Sequence, residues 1–489
     1  MTDLPLVLRD LSIVLAIATA VALLFTKLRL SVVPAFLVAG AFMGPSGAGL
    51  VTEIRMVETL AEFGVALFLF TVGLDFAVSN LGKMQRRVLW AGGAQVAATI
   101  VLSVIGLKVY GLDAPVAIFV GFLLSLSSTA IVLKVYADRL ETDSGHGRIS
   151  FGILLFQDLA AIPMMLLIPS LREWEAGHSP EVLFTLLKAA GGVAAILLLA
   201  RFLIPRLLRE VIRINSREIL ALTVLMVVLG TAFLASKWGL PLGMGTFLAG
   251  MVISDSDYVH EIAAQILPFR DVFNGVSYVS VGMLLNLPFL AGNLPLILLM
   301  VAGVVLMKAV SAGAAVRTIG YPWRSTVITA VGLAQIGEFS FLLLSQGARE
   351  GLVTFAGYQY LLAITILTMM ATPFLMRAAP WAARSFVRHG IRGGEPGEEA
   401  PGAESPGAGR VENHVIISGY GMNGKNLARV LRSTHVPYVV VDLNDAMVRE
   451  GREAGEPIFY GDVNNPEILD RVGVGRARML VLAISDPMA

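Results

Sequence analysis

The 489 residues include 37 Lys and Arg against 36 Asp and Glu, so the formal net charge is +1 and gives no sign of a nucleic-acid partner. Cysteine is absent, which excludes disulfides, thiolate metal sites and thiol catalysis. Because 56% of the residues are hydrophobic, 15% are charged and the mean hydropathy is +0.75, the chain is far more apolar than a soluble domain. We therefore expect an α-helical polytopic membrane protein.

Thirteen apolar runs follow one another along the first 376 residues. Each has roughly 15 to 25 residues, enough to cross a hydrocarbon core of about 30 Å. The first run has no charged n-region and no cleavage site, so we interpret it as a membrane helix and not as a signal peptide. The runs cover 5–26, 31–50, 57–78, 88–110, 114–136, 149–170, 182–205, 218–236, 241–254, 268–288, 293–316, 324–348 and 353–376.

The distribution of Lys and Arg predicts the orientation of these spans. Basic residues concentrate after odd-numbered runs, as in Arg206, Arg209 and Arg213 after the seventh. Loops after even-numbered runs contain only isolated ones such as Arg55 and Arg172. By the positive-inside rule the N-terminus is outside and the C-terminus is cytoplasmic, in a bacterial inner membrane.

A change of composition marks the end of the membrane region. Gly393–Gly409 reads GGEPGEEAPGAESPGAG, which has nothing to bury and is typical of a flexible linker. We assign 1–380 to a transmembrane domain, 381–410 to the linker and 411–489 to a soluble domain. Strand and helix patterns then alternate, which predicts a parallel α/β sheet of about half the usual domain size. The patterns cover His414–Ser418, Asn423–Ser433, Tyr438–Val441, Asp445–Glu453, Pro457–Tyr460 and Met479–Ile484.

Two charged residues lie deep in apolar runs. Asp158 lies near the middle of the sixth run and Lys308 lies in the eleventh. A charge at such depth costs at least about 2.5–3.5 kcal/mol, so each indicates a functional site. Their opposite charges at similar depth suggest that they are partners. The alternatives are an inert aspartate with helix–helix hydrogen bonds and a lysine that snorkels to the interface.

The fifth and twelfth runs have polar centres, Ser125–Ala130 and Gly332–Glu338. They are seven runs apart, as expected if spans 1–6 and 8–13 are inverted repeats. Secondary transporters place interrupted helices at such positions around a midplane ion site, whereas ordinary helices use the same residues for back-bonding and small-residue packing. The candidate ion-binding residues are Gln157, Asp158, Ser125, Ser127, Ser128, Thr129, Lys308, Gln335 and Glu338.

The soluble domain carries a dinucleotide fingerprint. Gly419-Tyr420-Gly421-Met422-Asn423-Gly424 follows a predicted strand and opens a predicted helix. Asp442 ends the next strand and is placed to hold ribose hydroxyls, with Leu443 and Asp462 nearby in the site. The alternative is a nucleotide-free Rossmann packing module.

The motifs together resemble those of the Kef-type monovalent cation/proton antiporters over essentially the whole chain. The matching segments, in order, are Gly44–Gly47, Ser125–Ala130, Phe156–Pro163, Gly245–Gly250, Ser280–Met283 and Gly337–Phe339. The resemblance implies a NhaA-like inverted-repeat fold, with spans 4–6 and 11–13 forming a mobile core and the rest a dimerisation domain. It also implies elevator-type exchange in which Asp158 holds the monovalent cation, usually K⁺, and Gln157 keeps the exchange electroneutral.

The C-terminal segment resembles a KTN/RCK regulatory domain, whose usual ligands are NAD(H) or AMP. The resemblance also implies a homodimer in membrane lipid and an ancillary regulatory subunit. Glutathione-gated members carry an acidic stretch where this chain has His260–Leu267 with Glu261 as its only acid.

Three other functions compete with K⁺/H⁺ antiport. Na⁺/H⁺ antiport on the same fold stays open. A ligand-gated K⁺ channel would use a similar soluble domain, but thirteen spans and the lack of a complete filter sequence disfavour it. An NAD-dependent dehydrogenase lacks room for a substrate domain, so we expect no enzymatic activity.

Overall fold

The computed structural model describes residues 4–28, 30–51, 54–75, 86–139, 141–142, 144–175, 179–214, 216–238, 240–254, 256, 258–390, 412–442, 445–461, 463 and 466–483. The chain divides into two compact units. One contains most of the membrane region and the other includes the C-terminal α/β domain, and each is described on its own.

Sixteen helices make up the membrane region of the described residues. They are α1 Leu4–Lys27, α2 Val32–Met43, α3 Ile54–Asp75, α4 Arg86–Val109, α5 Ala114–Ser125, α6 Thr129–Ala137, α7 Gly145–Glu175, α8 Ser179–Ile214, α9 Arg217–Lys237, α10 Leu242–Ser254, α11 Val259–Met283, α12 Leu287–Gly292, α13 Leu294–Thr318, α14 Trp323–Gly332, α15 Phe339–Arg349 and α16 Phe355–Gly390. Each of the thirteen predicted runs overlaps one or two of these helices. Within the described ranges, eight helical segments are long and apolar enough to cross a bilayer.

The fifth and twelfth spans are each broken in the middle, as the sequence predicted. Residues 126–128 separate α5 from α6, and residues 333–338 separate α14 from α15. The two breaks touch, because Gly337 N donates to Leu126 O at 3.1 Å. A Cβ on Gly337 would lie 2.5 Å from the backbone C and O of Ser127, so only glycine permits this approach. We call residues 125–129 and 332–339 the helix crossing.

Buried apolar residues surround the helix crossing. Phe119, Leu126, Ile131, Ile336 and Phe339 all belong to one hydrophobic cluster of the membrane unit. Polar backbone groups freed by the two breaks therefore have no water to bind and require side-chain partners.

The C-terminal domain is a four-stranded parallel sheet with strand order β3-β2-β1-β4, which confirms the predicted α/β pattern. Its elements are β1 Val415–Ser418, α17 Met422–Ser433, β2 Tyr438–Asp442, α18 Asp445–Glu453, β3 Ile458–Tyr460, α19 Pro466–Arg471 and β4 Met479–Leu482. Every residue of β1 is buried, as is usual for a central parallel strand.

The start of the linker was placed too early. The last membrane helix, α16, continues to Gly390, so residues 381–390 are helical and do not belong to a linker. The segment Gly393–Gly409 lies outside the described residues.

Candidate functional site

Side chains satisfy every carbonyl at the end of α5. An α-helix leaves its last four C=O groups without intrahelical donors, and α5 ends inside the protein. The carbonyls of Phe122, Leu123, Leu124 and Ser125 accept hydrogen bonds from Ser125 Oγ, Ser340 Oγ, Lys308 Nζ and Gln95 Nε2, at 2.8, 2.7, 2.6 and 3.2 Å. All four carbonyls at the C-terminal end of α5 are therefore paired.

Lys308 binds this helix end and does not pair with Asp158. Its Nζ donates to Leu124 O at 2.6 Å and to Leu126 O at 2.8 Å, and the side chain is fully buried. The predicted ion pair with Asp158 is wrong, since none is recorded between these two described residues, and the snorkelling alternative is wrong as well. The C-terminus of a helix carries a partial negative charge, and the break exposes it to the ammonium group.

Gln157 also binds the segment between α5 and α6. Its Oε1 accepts from Ser127 N at 2.7 Å, and its Nε2 donates to Gln95 Oε1 at 2.7 Å. Both polar atoms of the amide are thus engaged by protein groups. The sequence predicted Gln157 as an ion-binding residue, and the structure gives it a positioning contact with the segment that joins α5 to α6.

The N-terminus of α6 faces two carboxylates. Ser128 is the N-cap, because its Oγ accepts from Ile131 N at 3.3 Å, and the same hydroxyl donates to Glu338 Oε2 at 2.5 Å. Thr129 Oγ1 donates to Asp158 Oδ2 at 2.8 Å. Helix N-termini carry a partial positive charge, which stabilises negative groups at this position.

The second break is held against the first. Ser127 Oγ donates to Leu333 O at 2.9 Å. The Gln335 amide, in the orientation that satisfies both of its polar atoms, donates to Gly332 O at 2.7 Å and accepts from Ser128 N at 3.3 Å. Ser127, Ser128, Thr129, Gln335 and Glu338 therefore meet at the helix crossing, and their role in ion binding stays a prediction.

Ser125 differs from the other predicted site residues. Its hydroxyl bonds back to Phe122 O within its own helix, and its carbonyl is taken by Gln95. This is the back-bonding alternative that the sequence left open, and it gives Ser125 a structural contact at the end of α5.

Asp158 is the carboxylate best placed to hold a cation or a proton. It is 9% exposed, and among the described residues no donor is recorded for its Oδ1. Pro163, which lies inside α7, has no N–H to give to the carbonyl of Leu159, the residue next to Asp158. Carboxylate, hydroxyl and carbonyl oxygens are ligands suited to hard cations. The described residues contain no cluster of three or more His, Cys, Asp or Glu side chains that would suit a transition metal.

Several polar residues at the helix crossing were missed from the sequence. Gln95 and Thr99 lie one helical turn apart in α4, and Thr99 Oγ1 lies 2.8 Å from Ser311 Oγ. Ser340 and Thr368 bind backbone groups of α5 and of the second break. A polar pair four residues apart in an otherwise apolar span was the available signal.

The fingerprint loop of the C-terminal domain has the close packing that its glycines predict. Gly419 has φ +99°, and a Cβ on Gly424 would lie 1.9 Å from Gly419 O. Met422 and Asn423 are exposed in the first turn of α17, next to the helix N-terminus. These features suit the approach of a pyrophosphate to the helix.

Asp442 lies beside this loop. Its Oδ2 accepts from Tyr420 N at 2.5 Å, which ties the end of β2 to the fingerprint. Asp442 thus has a loop contact in addition to its predicted place at the ribose. Leu443 and Asp462 lie outside the described residues.

Comparisons with known proteins identify the families of the membrane region and of the C-terminal domain. The family model "Sodium/hydrogen exchanger, transmembrane" matches residues 13–377, and the TrkA-N domain model matches residues 415–489. The chain is similar to the glutathione-regulated potassium-efflux system protein KefC of Cronobacter sakazakii, with 33% identity over 465 residues, 95% of this chain and 73% of that protein. It is also similar to K(+) efflux antiporter 1, chloroplastic, of Arabidopsis thaliana, with 31% identity over 93% of this chain but only 38% of that protein.

A solved structure shows the same fold. The sodium proton antiporter MjNhaP1 of Methanocaldococcus jannaschii aligns with a TM-score of 0.58 and 18% identity, over 77% of this chain and 97% of that one. At that identity the likeness shows the fold alone. The broken spans with their buried carboxylates, together with the family match over most of the chain, lead to one conclusion: the chain belongs to the transmembrane sodium/hydrogen exchanger family and carries a TrkA-N domain after its membrane region.

Proposed function

We propose that this protein is a potassium/proton antiporter that exchanges K⁺ for H⁺ electroneutrally. The observation that carries the proposal is the position of Asp158. This residue of α7 is buried beside Thr129, at the N-terminal end of α6, where the two broken spans meet. The names of the two potassium-efflux relatives support K⁺ as the cation.

Exchange at Asp158 requires that a cation and a proton compete for one carboxylate. Thr129 Oγ1 donates to Oδ2, which orients the group, while among the described residues no donor is recorded for Oδ1. A K⁺ ion must lose water to enter, and oxygen ligands from Asp158 and neighbouring groups replace it. Release of the cation leaves a buried negative charge that takes up a proton, so each turnover moves one charge in each direction.

We further propose an elevator-type movement of the helix crossing. The side chains that pair with the two breaks come from spans 4, 5, 6, 11, 12 and 13, in α4, α5, α7, α13, α15 and α16. These are the six spans that the resemblance assigns to the mobile core. Helices cross-linked in this way would move as one body. Arg349 of α15 forms an ion pair with Glu62 of α3, a contact between the mobile core and the dimerisation domain that such a movement would break.

The test is exchange in reconstituted liposomes with a pH-sensitive dye inside. An imposed K⁺ gradient should drive H⁺ in the opposite direction, and clamping the membrane potential to zero should not change the rate. Asp158→Asn keeps the shape of the side chain but cannot carry the proton, so exchange should fall to background in a protein of normal size and stability. The matched control is Asp113→Asn, at the exposed N-cap of α5, which should retain the wild-type rate.

Retained exchange in Asp158→Asn would refute the site. K⁺ flux that collapses when charge compensation is removed would instead indicate a channel. The main alternative is Na⁺/H⁺ antiport, which the description of the matching family favours. Repeating the assay with Na⁺ and with Rb⁺ decides between the two cations.

For the C-terminal domain we propose binding of NAD(H) or AMP at the fingerprint loop. The positive φ of Gly419 and the contact between Gly424 and Gly419 support it. Coupling between a nucleotide and transport is typically about 1–3 kcal/mol, so the effect should be several-fold. Calorimetry with NADH, NAD⁺ and AMP, followed by transport at saturating nucleotide, tests both parts.

We also propose that the protein acts as a homodimer in the membrane, with a place for an ancillary regulatory subunit. Native mass spectrometry of the detergent-solubilised protein, with its bound lipid, would report twice the 52.1 kDa chain mass if the dimer is correct.

A further inference from the structure

Two glutamine amides bridge the backbone groups on either side of the first break. Gln95 Nε2 donates to Ser125 O at 3.2 Å, Gln157 Nε2 donates to Gln95 Oε1 at 2.7 Å, and Gln157 Oε1 accepts from Ser127 N at 2.7 Å. Both side chains are fully buried. We call this chain of three hydrogen bonds the amide relay.

Both amides of the amide relay can adopt only one orientation. A backbone carbonyl can only accept, so Ser125 O requires the nitrogen of Gln95. The oxygen of Gln95 must then face Gln157, which requires the nitrogen of Gln157. The oxygen of Gln157 is left for Ser127 N, which can only donate. Both ends of the relay are fixed backbone groups, so neither amide can turn over without placing two acceptors or two donors against each other.

The relay ends next to the residues that hold the two carboxylates. Ser127 is followed by Ser128 and Thr129, which donate to Glu338 and Asp158. The position of these two hydroxyls therefore depends on how the backbone of Ser127 is held. In addition, a charged carboxylate at position 157 would keep the donor Ser127 N on one oxygen, but its other oxygen would face the oxygen of Gln95 without a proton between them.

We propose that Gln95 is a positioning residue for the cation site, and that its amide requires an uncharged side chain at position 157 and so limits the exchange to one charge. This inference rests on the proposed exchange at Asp158. Gln95 itself touches no cation, and it acts through Gln157 and Ser127. A residue in the fourth span thereby fixes both the geometry and the charge of the site.

The first test compares Gln95→Leu with Gln95→Glu in the same liposome assay. Leucine removes both polar atoms, so the KM for K⁺ should rise about tenfold, equal to ~1.4 kcal/mol. A protonated glutamate reproduces the glutamine pattern, with its O–H on Ser125 O, whereas an ionised one has no donor. Gln95→Glu should therefore have a KM near that of the wild type at acid pH and approach the leucine variant at alkaline pH.

The control on the same helix is Ser103→Ala. Ser103 is buried in α4, donates to Thr99 O and lies outside the relay, so its KM should stay within about twofold of the wild type. A wild-type KM in Gln95→Leu would overturn the positioning role. If that variant does not fold, the acid and alkaline measurements on Gln95→Glu decide instead, since equal KM ratios to wild type at both pH values would overturn the role.

The second test measures whether exchange by a Gln157 variant moves net charge across the membrane. Gln157→Glu should remain electroneutral while Gln95 is present, because the relay accommodates only the protonated carboxyl. Currents that follow the membrane potential in this variant would overturn the charge limit. If the wild type shows no exchange, only the proposed function is refuted. The relay is then tested by measuring how far K⁺, Na⁺ or Rb⁺ raises the unfolding temperature of the wild type and of Gln95→Leu.

Discussion

Gly337→Ala should separate the two halves of the helix crossing. The added Cβ would lie 2.5 Å from the C and O of Ser127 and 2.8 Å from Ser128 N, all of them backbone atoms. An ordinary contact needs about 3.4 Å or more, so the two breaks must move apart by roughly 0.9 Å. The hydrogen bond from Gly337 N to Leu126 O, now 3.1 Å, would lengthen to about 4 Å and be lost.

The magnitude follows from these contacts. Overpacking in a dense core costs about 1–3 kcal/mol, and a lost hydrogen bond with a buried donor left unpaired adds about 1–3 kcal/mol. Leu126 O keeps its bond from Lys308, so only the Gly337 N–H is left unpaired. We expect a total loss of roughly 2–6 kcal/mol, together with loss of exchange because Ser128 moves relative to Glu338.

The assay is thermal unfolding in detergent together with exchange in liposomes, with Gly303→Ala as the control. Gly303 lies in α13, where an added Cβ meets no atom within 4 Å. Alanine there should be neutral or slightly stabilising, since glycine is the poorer helix former by about 1 kcal/mol. Equal unfolding temperatures and equal exchange for the two variants would refute the close contact between the breaks.

Three further outcomes are expected. Lys308→Met should impair folding or thermal stability but leave the pH midpoint of exchange unchanged, because the ammonium binds carbonyls and not Asp158; a shifted midpoint in the liposome assay would contradict this. Ser128→Ala removes an N-cap and should cost about 1 kcal/mol in thermal unfolding, with weaker K⁺ binding; unchanged stability and affinity would show that the cap is dispensable. Gly424→Ala forces a Cβ against Gly419 O and should abolish nucleotide binding by calorimetry while basal exchange continues; normal binding would contradict the loop geometry.

The two breaks were predictable because polar and small residues interrupt apolar spans at related positions. Ser127, Ser128 and Thr129 stand out in the fifth span as Gln335 and Glu338 do in the twelfth. The first break also ends at Thr129, whose hydroxyl donates to Asp158. What the sequence could not give was the partner of each polar atom.

Lys308 illustrates the difficulty. Charge and depth both pointed to Asp158, but broken helices expose carbonyl groups that do not appear as charged residues in a sequence. Two of these carbonyls, with the partial charge of the helix end, provide the partner of the ammonium. Gln95 was missed for a related reason, since the Gln95 and Thr99 pair in an apolar span is a weak signal and does not show that the amide binds a carbonyl of the fifth span and a side chain of the sixth.

Lys308 Nζ is bound between two backbone carbonyl oxygens at the end of α5. It occupies carbonyl oxygens of the kind that K⁺ itself prefers, so these oxygens are not available to a transported ion. Under the proposed exchange, the ion would therefore take its oxygen ligands from Asp158 and its neighbours at the N-terminal end of α6. The first break thus has two sides of opposite polarity, with the lysine at the C-terminal end of α5 and the carboxylates of Asp158 and Glu338 at the N-terminal end of α6.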